Sequence, residues 1–483
     1  MAALAFLPAR GLAAQVRRGR IGCLELLDHF IARVERFDAQ LNAVVVRDFD
    51  RARRRARSLD RKRARDGAAS PLFGVPITTK ESYNVAGLPT TWGYEERREH
   101  RAETNALIVD RLEAAGAVVF GKTNVPVSLA DWQSYNPLYG ATHNPWNRAH
   151  TPGGSSGGAA AALAAGLTGF EIGSDIGGSI RVPAAFCGVY GHKPTWGLVP
   201  SRGHSLIDAA AMTDISVCGP MARSADDLAL GLGLLAGPDE AETAWTTPLP
   251  APRTQAIGEL RIAIWADQPG QATDPEIVAR IGALATFLRR EGAKVSTTAR
   301  PDFEPTEAFH IYLALLHAAM SARASDAARA EMRAAVAKRP ADDMSADAVM
   351  LRATDLLHRE WLTLNERRHQ IRRRWGRFFK DWDVLICPAF ATAALPHMQE
   401  GSTSQRRLCV CGQEIAYNEL LFWPGITCGF HLPATAAPIG FAKSGLPIGV
   451  QIVGPLYGDR MTIAVAKLLE AAWQGFVPPP GFE

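Results

Sequence analysis

The run Thr151-Pro-Gly-Gly-Ser-Ser-Gly-Gly158 opens, and Gly173-Ser-Asp-Ile-Gly-Gly-Ser-Ile-Arg181 closes, the most unusual stretch of this chain. Two glycine-serine turns bracket small residues suited to a tightly packed helix. Glycine clusters permit positive φ and let backbone amides approach a ligand closely, as an anion or oxyanion site requires. One such cluster reads as a tight turn; two at this spacing point to a site.

Known local patterns narrow the chemistry. No lysine follows either cluster as a phosphate loop needs. Gly-x-Ser-x-Gly occurs at 153–157 and 154–158, but the proline-containing segment 144–152 precedes it where a nucleophile elbow has a strand. Ser-x-x-Lys and His-Glu-x-x-His are absent. Cys409-Val-Cys411 has no second ligand pair nearby, so it reads as hairpin or loop and not as a zinc site.

Outward from this stretch, apolar strands at 74–78, 117–120 and 260–265 alternate with helical stretches at 106–114 and 275–290. That alternation argues for an α/β layered fold with a largely parallel sheet. Residues 23–37 carry the apolar stripe of an amphipathic helix through Leu24, Leu27, Ile31 and Val34, and 41–46 read as a strand. The segment 47–66 is rich in Lys and Arg, yet Asp48, Asp50, Asp60 and Asp66 interleave and no aromatic platform accompanies them, so a solvated helix face is expected there and not a nucleic-acid patch. Residues 304–382 read as a helical excursion packed on the sheet. Strands resume near 384–387 and 448–453, and a final helix is expected from about 460 to 473.

The 483 residues carry 53 Lys+Arg against 49 Asp+Glu, a net +4 that is too near neutral for a general nucleic-acid binder. With 47% hydrophobic and 21% charged residues, disorder and a fibrous fold are excluded. Length alone suggests about three domains. Seven scattered cysteines do not make a disulfide framework and suit a reducing compartment. The apolar run 1–10 lacks the cationic lead of a signal peptide, and no run reaches the ~18 apolar residues of a spanning helix. The expectation is a soluble, cytoplasmic protein.

A set of separated motifs carries a resemblance. Gly74-Val-Pro-Ile-Thr-Thr-Lys80, Gly121-Lys-Thr-Asn-Val-Pro126, Tyr139-Gly140 and Asn144-Pro-Trp146 lead into the two glycine-serine clusters. Residues 188–194, Gly219-Pro-Met-Ala-Arg-Ser224 and Gly445-Leu-Pro-Ile-Gly-Val-Gln451 follow. In this order they resemble the amidase signature family of serine hydrolases; residues 255–425 match weakly. The resemblance implies one large α/β domain over 1–483, with a central twisted mixed β-sheet covered by helices on both faces. It also implies a signature core at 74–224 and a variable, partly helical substrate-side region at 255–425.

Carried onto this chain, the resemblance makes Ser179 the nucleophile, Ser155 a bridging serine after a cis peptide bond, and Lys80 the base, without metal or cofactor. A serine hydroxyl needs a base, and burial can lower a lysine from its ordinary value of about 10.4 far enough to serve as one. Backbone amides across Ile176, Gly177, Gly178 and Ser179 are the expected oxyanion donors. Asp175 and Arg181 are expected to pair and brace the loop, with Ser156 as structural support; the alternative is that Arg181 binds a substrate carboxylate.

By the same resemblance Leu129, Ala130 and Asp131 should line the acyl pocket, with Trp132 and Tyr135 as neighbours. Val127 stands where several relatives carry an acid. Residues 393–424, with Phe422 and Trp423, are expected as a loop over the site. The implied activity is acyl-enzyme hydrolysis of small aryl or alkyl amides, extending to esters or carbamates (urethanes), by a monomer or homodimer with no nucleic-acid or membrane partner. The rival is a protein like the transamidating subunit of a glutamine-dependent tRNA amidotransferase, needing partner subunits. That role normally has glutamine where this chain has Val182.

Overall fold

In the computed structural model, which describes residues 2–207, 209–240, 248–322 and 324–483, two sheets carry the fold. Met1, the head of the 1–10 run, lies outside the described residues. The smaller sheet contains β1 (Val44–Arg47), β2 (Pro76–Lys80) and β3 (Val118–Thr123) in the order β1-β3-β2. The larger contains β4 (Glu171–Asp175), β5 (Tyr190–Lys193), β6 (Val217–Ala222), β7 (Arg261–Ile264), β8 (Lys294–Ser296), β9 (Val384–Pro388), β10 (Ala434–Phe441) and β11 (Pro447–Val453). Its spatial order is β8-β7-β9-β11-β10-β5-β6-β4. Helices flank this mixed sheet, as expected for the α/β class.

The larger sheet is not largely parallel. Only β7–β8 and β7–β9 pair in parallel, while β9–β11, β11–β10, β10–β5, β5–β6 and β6–β4 are antiparallel. A helix between two strands permits a crossover but does not decide which strands become neighbours. Here β11 turns back from β10 and inserts beside β9, a pairing between segments far apart in the chain.

The amphipathic helix occupies Cys23–Phe37 and buries Leu27, Phe30, Ile31 and Val34. The basic run forms the helix Phe49–Asp66. Several of its arginines are tied to their own chain: Arg53 pairs with Asp28 at 2.7 Å, and Arg63 donates to the carbonyls of Val16 and Ile21. Within 255–425, β7, β8 and β9 belong to the larger sheet, and the helices Pro305–Ser321, Asp326–Ala337, Ala346–Arg352 and His358–Asp381 lie in sequence between β8 and β9. Cys409 and Cys411 sit on the hairpin formed by Arg407–Val410 and Gln413–Ala416. Among the described residues, no helix is long and apolar enough to cross a membrane.

The two sheets meet beside the glycine-serine clusters. Thr78 of β2 and Thr123 of β3 donate through Oγ1 to the same Glu171 carboxylate oxygen on β4, at 2.7 and 2.9 Å. The end of β2 is thereby set next to the end of β4, which brings Lys80 to the Gly173–Arg181 stretch.

Candidate active site

Lys80 ends a strand in which all five residues are buried, so its side chain has no route to water. Its Nζ donates to Ser155 Oγ at 2.6 Å and to Ser174 Oγ at 2.9 Å. Burial pulls its ammonium down to about 7, while Asp175, Cys218 and Glu171 act in the opposite direction. An amine tuned to that value is substantially unprotonated at neutral pH and can accept a proton. His204, also buried, is drawn down to about 3 by desolvation and then by Lys80, which leaves it neutral beside the lysine.

The Gly154–Ser155 peptide is cis. The Asp131 carbonyl oxygen packs so closely on Gly154 that a Cβ there would collide with it. Ser156 N donates to the Ser179 carbonyl at 3.1 Å, and Ser156 Oγ donates to the Ser174 carbonyl at 3.4 Å. The two clusters are thus tied together. Gly157–Ala164 forms a helix buried along its whole length, which its glycine and alanine content allows. Ser179 lies between β4 and the buried helix Arg181–Cys187. It is 6% exposed against 1% for Ser155 and 0% for Lys80, so it is the most accessible of the three.

The four expected oxyanion donors are not equivalent. Gly178, at φ +99°, donates its N–H to Asp175 Oδ1 at 2.8 Å, so that amide is already engaged. Among the described residues no protein acceptor meets the N–H of Gly177 or of Ser179. The carbonyls of the same loop are held from behind: Trp132 Nε1 donates to Gly177 O at 2.9 Å, and Tyr312 Oη donates to Ile176 O at 3.2 Å.

Asp175 and Arg181 form a two-pronged ion pair, Nε to Oδ2 and Nη2 to Oδ1, each at 3.0 Å, with both side chains fully buried. Burial opposes charge on Asp175, but the guanidinium overcomes it and holds the carboxyl well below the usual carboxylate range. The remaining Arg181 donors reach Pro424 O, Thr427 Oγ1, Gln451 Oε1 and Cys428 Sγ. A guanidinium has five N–H groups, and these partners occupy them; none is left for a substrate carboxylate.

The expected acyl-pocket residues diverge. Leu129 is half-buried and Ala130 is exposed. The Asp131 side chain is only 7% exposed and pairs with Arg406 at 2.5 Å while accepting from Tyr417 Oη at 2.8 Å. Its carboxylate is therefore spent on the fold. Arg406 also donates to Tyr135 Oη at 2.6 Å. Phe422 and Trp423, expected in a loop over the site, are both buried and packed on Trp265, and Trp423 Nε1 donates to Thr273 Oγ1, while Leu421 and Pro424 beside them lie against the Gly177–Gly178 loop. A seven-residue helix, Phe422–Cys428, carries the two rings inward.

Sequence reasoning missed Ser174, Glu171, Arg406 and Tyr312. Ser174 precedes Asp175 within the quoted stretch, and its polarity on a buried strand was a usable signal. Glu171, an acid that opens the buried strand Glu171–Asp175, was another. Arg406 and Tyr312 lie in the weakly matched region, and no local pattern marks them.

A family model described as Amidase matches residues 25–463. The chain is 34% identical to an acylamidase of Rhodococcus erythropolis, over 97% of this chain and 96% of that protein. It is 32% identical to a glutamyl-tRNA(Gln) amidotransferase subunit of Synechococcus sp. (strain CC9605), over 96% of each chain. Among solved structures, a bacterial aryl acylamidase of the amidase signature family superposes with a TM-score of 0.81 at 25% identity, covering 98% of this chain and 97% of that one. With the fold, the motifs and these likenesses in agreement, the chain belongs to the amidase signature family and is an amide-hydrolysing enzyme.

Proposed function

We propose that this enzyme hydrolyses small aryl or alkyl amides through an acyl-enzyme on Ser179, with esters and carbamates as further substrates. The observation that carries the reading is the buried Lys80 amine 2.6 Å from Ser155 Oγ, beside a glycine loop with unengaged amides. Neutral Lys80 accepts the Ser155 hydroxyl proton while Ser155 takes the proton of Ser179. The Ser179 oxygen adds to the substrate carbonyl carbon, and the negative charge on its oxygen is met by the Gly177 and Ser179 N–H groups. Ser155 then returns a proton to the leaving nitrogen as the C–N bond breaks. Water attacks the acyl-enzyme by the reverse route, releasing the acid and restoring Ser179.

Half-buried Ile176 in this loop supports an apolar substrate, and the likeness to acylamidases supports an amide over other bonds. The test is turnover of acyl p-nitroanilides by the purified chain alone, with Ser179→Ala as control. The wild type should release p-nitroaniline and be labelled by a fluorophosphonate, and the variant should do neither. Retained labelling in Ser179→Ala would sink the assignment. The 32% identity to an amidotransferase component supports a second reading; hydrolysis of glutamine that emerges only with added partner subunits would favour it.

A further inference from the structure

We propose that Tyr312 is a positioning residue for the oxyanion loop, fixing the Ile176–Gly177 peptide so that the Gly177 N–H meets the developing negative charge. This rests on the reading of Ser179 as nucleophile. The carbonyl of Ile176 and the N–H of Gly177 belong to one planar trans unit, in which the two groups point in opposite directions. Tyr312 Oη donates to that carbonyl at 3.2 Å. Whatever holds the oxygen from behind therefore aims the N–H forward, away from the helix Pro305–Ser321.

The neighbouring peptide explains why this plane matters more than the next. There Trp132 Nε1 holds the Gly177 carbonyl at 2.9 Å, but the corresponding Gly178 N–H is already given to Asp175 Oδ1 at 2.8 Å. Both planes are clamped from behind, and only the first has its N–H unengaged by protein among the described residues. Donation to a carbonyl also polarises its own peptide, which strengthens the N–H as a donor.

The ring of Tyr312 is built into place. It is fully buried, and at Gly425 and Gly429 a Cβ would run into it. A Cβ at Gly177 would lie 3.1 Å from the hydroxyl. The glycines on two sides thus form a slot for this side chain, and a buried tyrosine hydroxyl needs a partner such as the Ile176 carbonyl. The helix that supplies Tyr312 lies in the weakly matched stretch 255–425, outside the 74–224 core that carries the catalytic motifs.

Tyr312→Phe keeps the ring and deletes only the donor. The expected result with a p-nitroanilide substrate is a kcat lowered by about tenfold with KM held within about twofold. Affinity for a trifluoromethyl ketone, whose adduct carries the oxyanion, should fall by the same factor, and binding of an unreactive amide analogue should not change. An unchanged kcat, or a loss shared by KM and by the unreactive analogue, overturns the proposal. Fluorophosphonate labelling of the wild type separates the two readings. Absence of labelling at Ser179 removes the nucleophile assignment; labelling at Ser179 with a kinetically silent Tyr312→Phe removes only the role of Tyr312.

Discussion

Lys80 Nζ lies 2.6 Å from Ser155 Oγ in a pocket that excludes water from both side chains. Burial is the larger influence on the amine and lowers it to about 7, so its base form is gained as pH rises through that value. The kcat/KM profile should therefore climb from acid pH and level off above about 7. Lys80→Ala should lose about 10²–10⁴-fold in kcat and show no such limb. A variant that keeps the acid limb would assign it to another group.

Glu171 should be felt twice. Burial pushes its carboxyl up to about 7 against hydrogen bonds from Thr78, Thr123 and the Ile172 N–H. Its folded value exceeds its ordinary one near 4.5, so its contribution to stability is present below about 4.5 and is lost as pH rises through about 7. Urea unfolding of Glu171→Gln should lack the part of the pH dependence that falls in that window. The same substitution removes a negative charge that raises Lys80, so the acid limb of kcat/KM should move to lower pH. A limb that stays put would deny the coupling.

Arg181→Met leaves the Asp175 carboxylate buried without its partner. Such a loss costs about 3–5 kcal/mol, measurable as a lower urea midpoint, and it should loosen the loop that carries Gly177 and Ser179. Wild-type stability in this variant would contradict the bracing role.

Arg406 reaches across to Asp131 and to Tyr135, residues far ahead of it in the chain. A double-mutant cycle of Arg406→Ala and Asp131→Ala should return a coupling of about 1 kcal/mol or more. Arg406→Ala alone should also hasten proteolysis in the hairpin 407–416, whose first strand it precedes. Additive effects would mean that the pair does not hold the hairpin down.

Much of the architecture is legible in local pattern. The stripe at 23–37, the alternation of strands and helices, and the helical block after 304 follow from the periodicity of side chains, which neighbouring residues express directly. Strand direction is not local. That β11 lies between β9 and β10 depends on which distant edges bury each other best, and nothing in Ile448–Val453 encodes it. The site divides in the same way. Lys80, Ser155, Ser179 and the Asp175–Arg181 pair stand in motifs, because chemistry and tight turns demand particular residue types at fixed spacing.

What surrounds those motifs belongs to the folded chain. The sequence by itself determined the class of fold, the family and the residues carrying the motifs. Only the tertiary structure decided that the Gly178 amide is spent on Asp175, that Asp131 is neutralised by Arg406, and that Phe422 and Trp423 turn into the core. It alone brought Tyr312, 136 residues away in sequence, behind the Ile176 carbonyl. Each of these is a contact between groups distant along the chain, made or withheld by the need to satisfy buried hydrogen bonds and charges, and no short stretch of residues contains that condition.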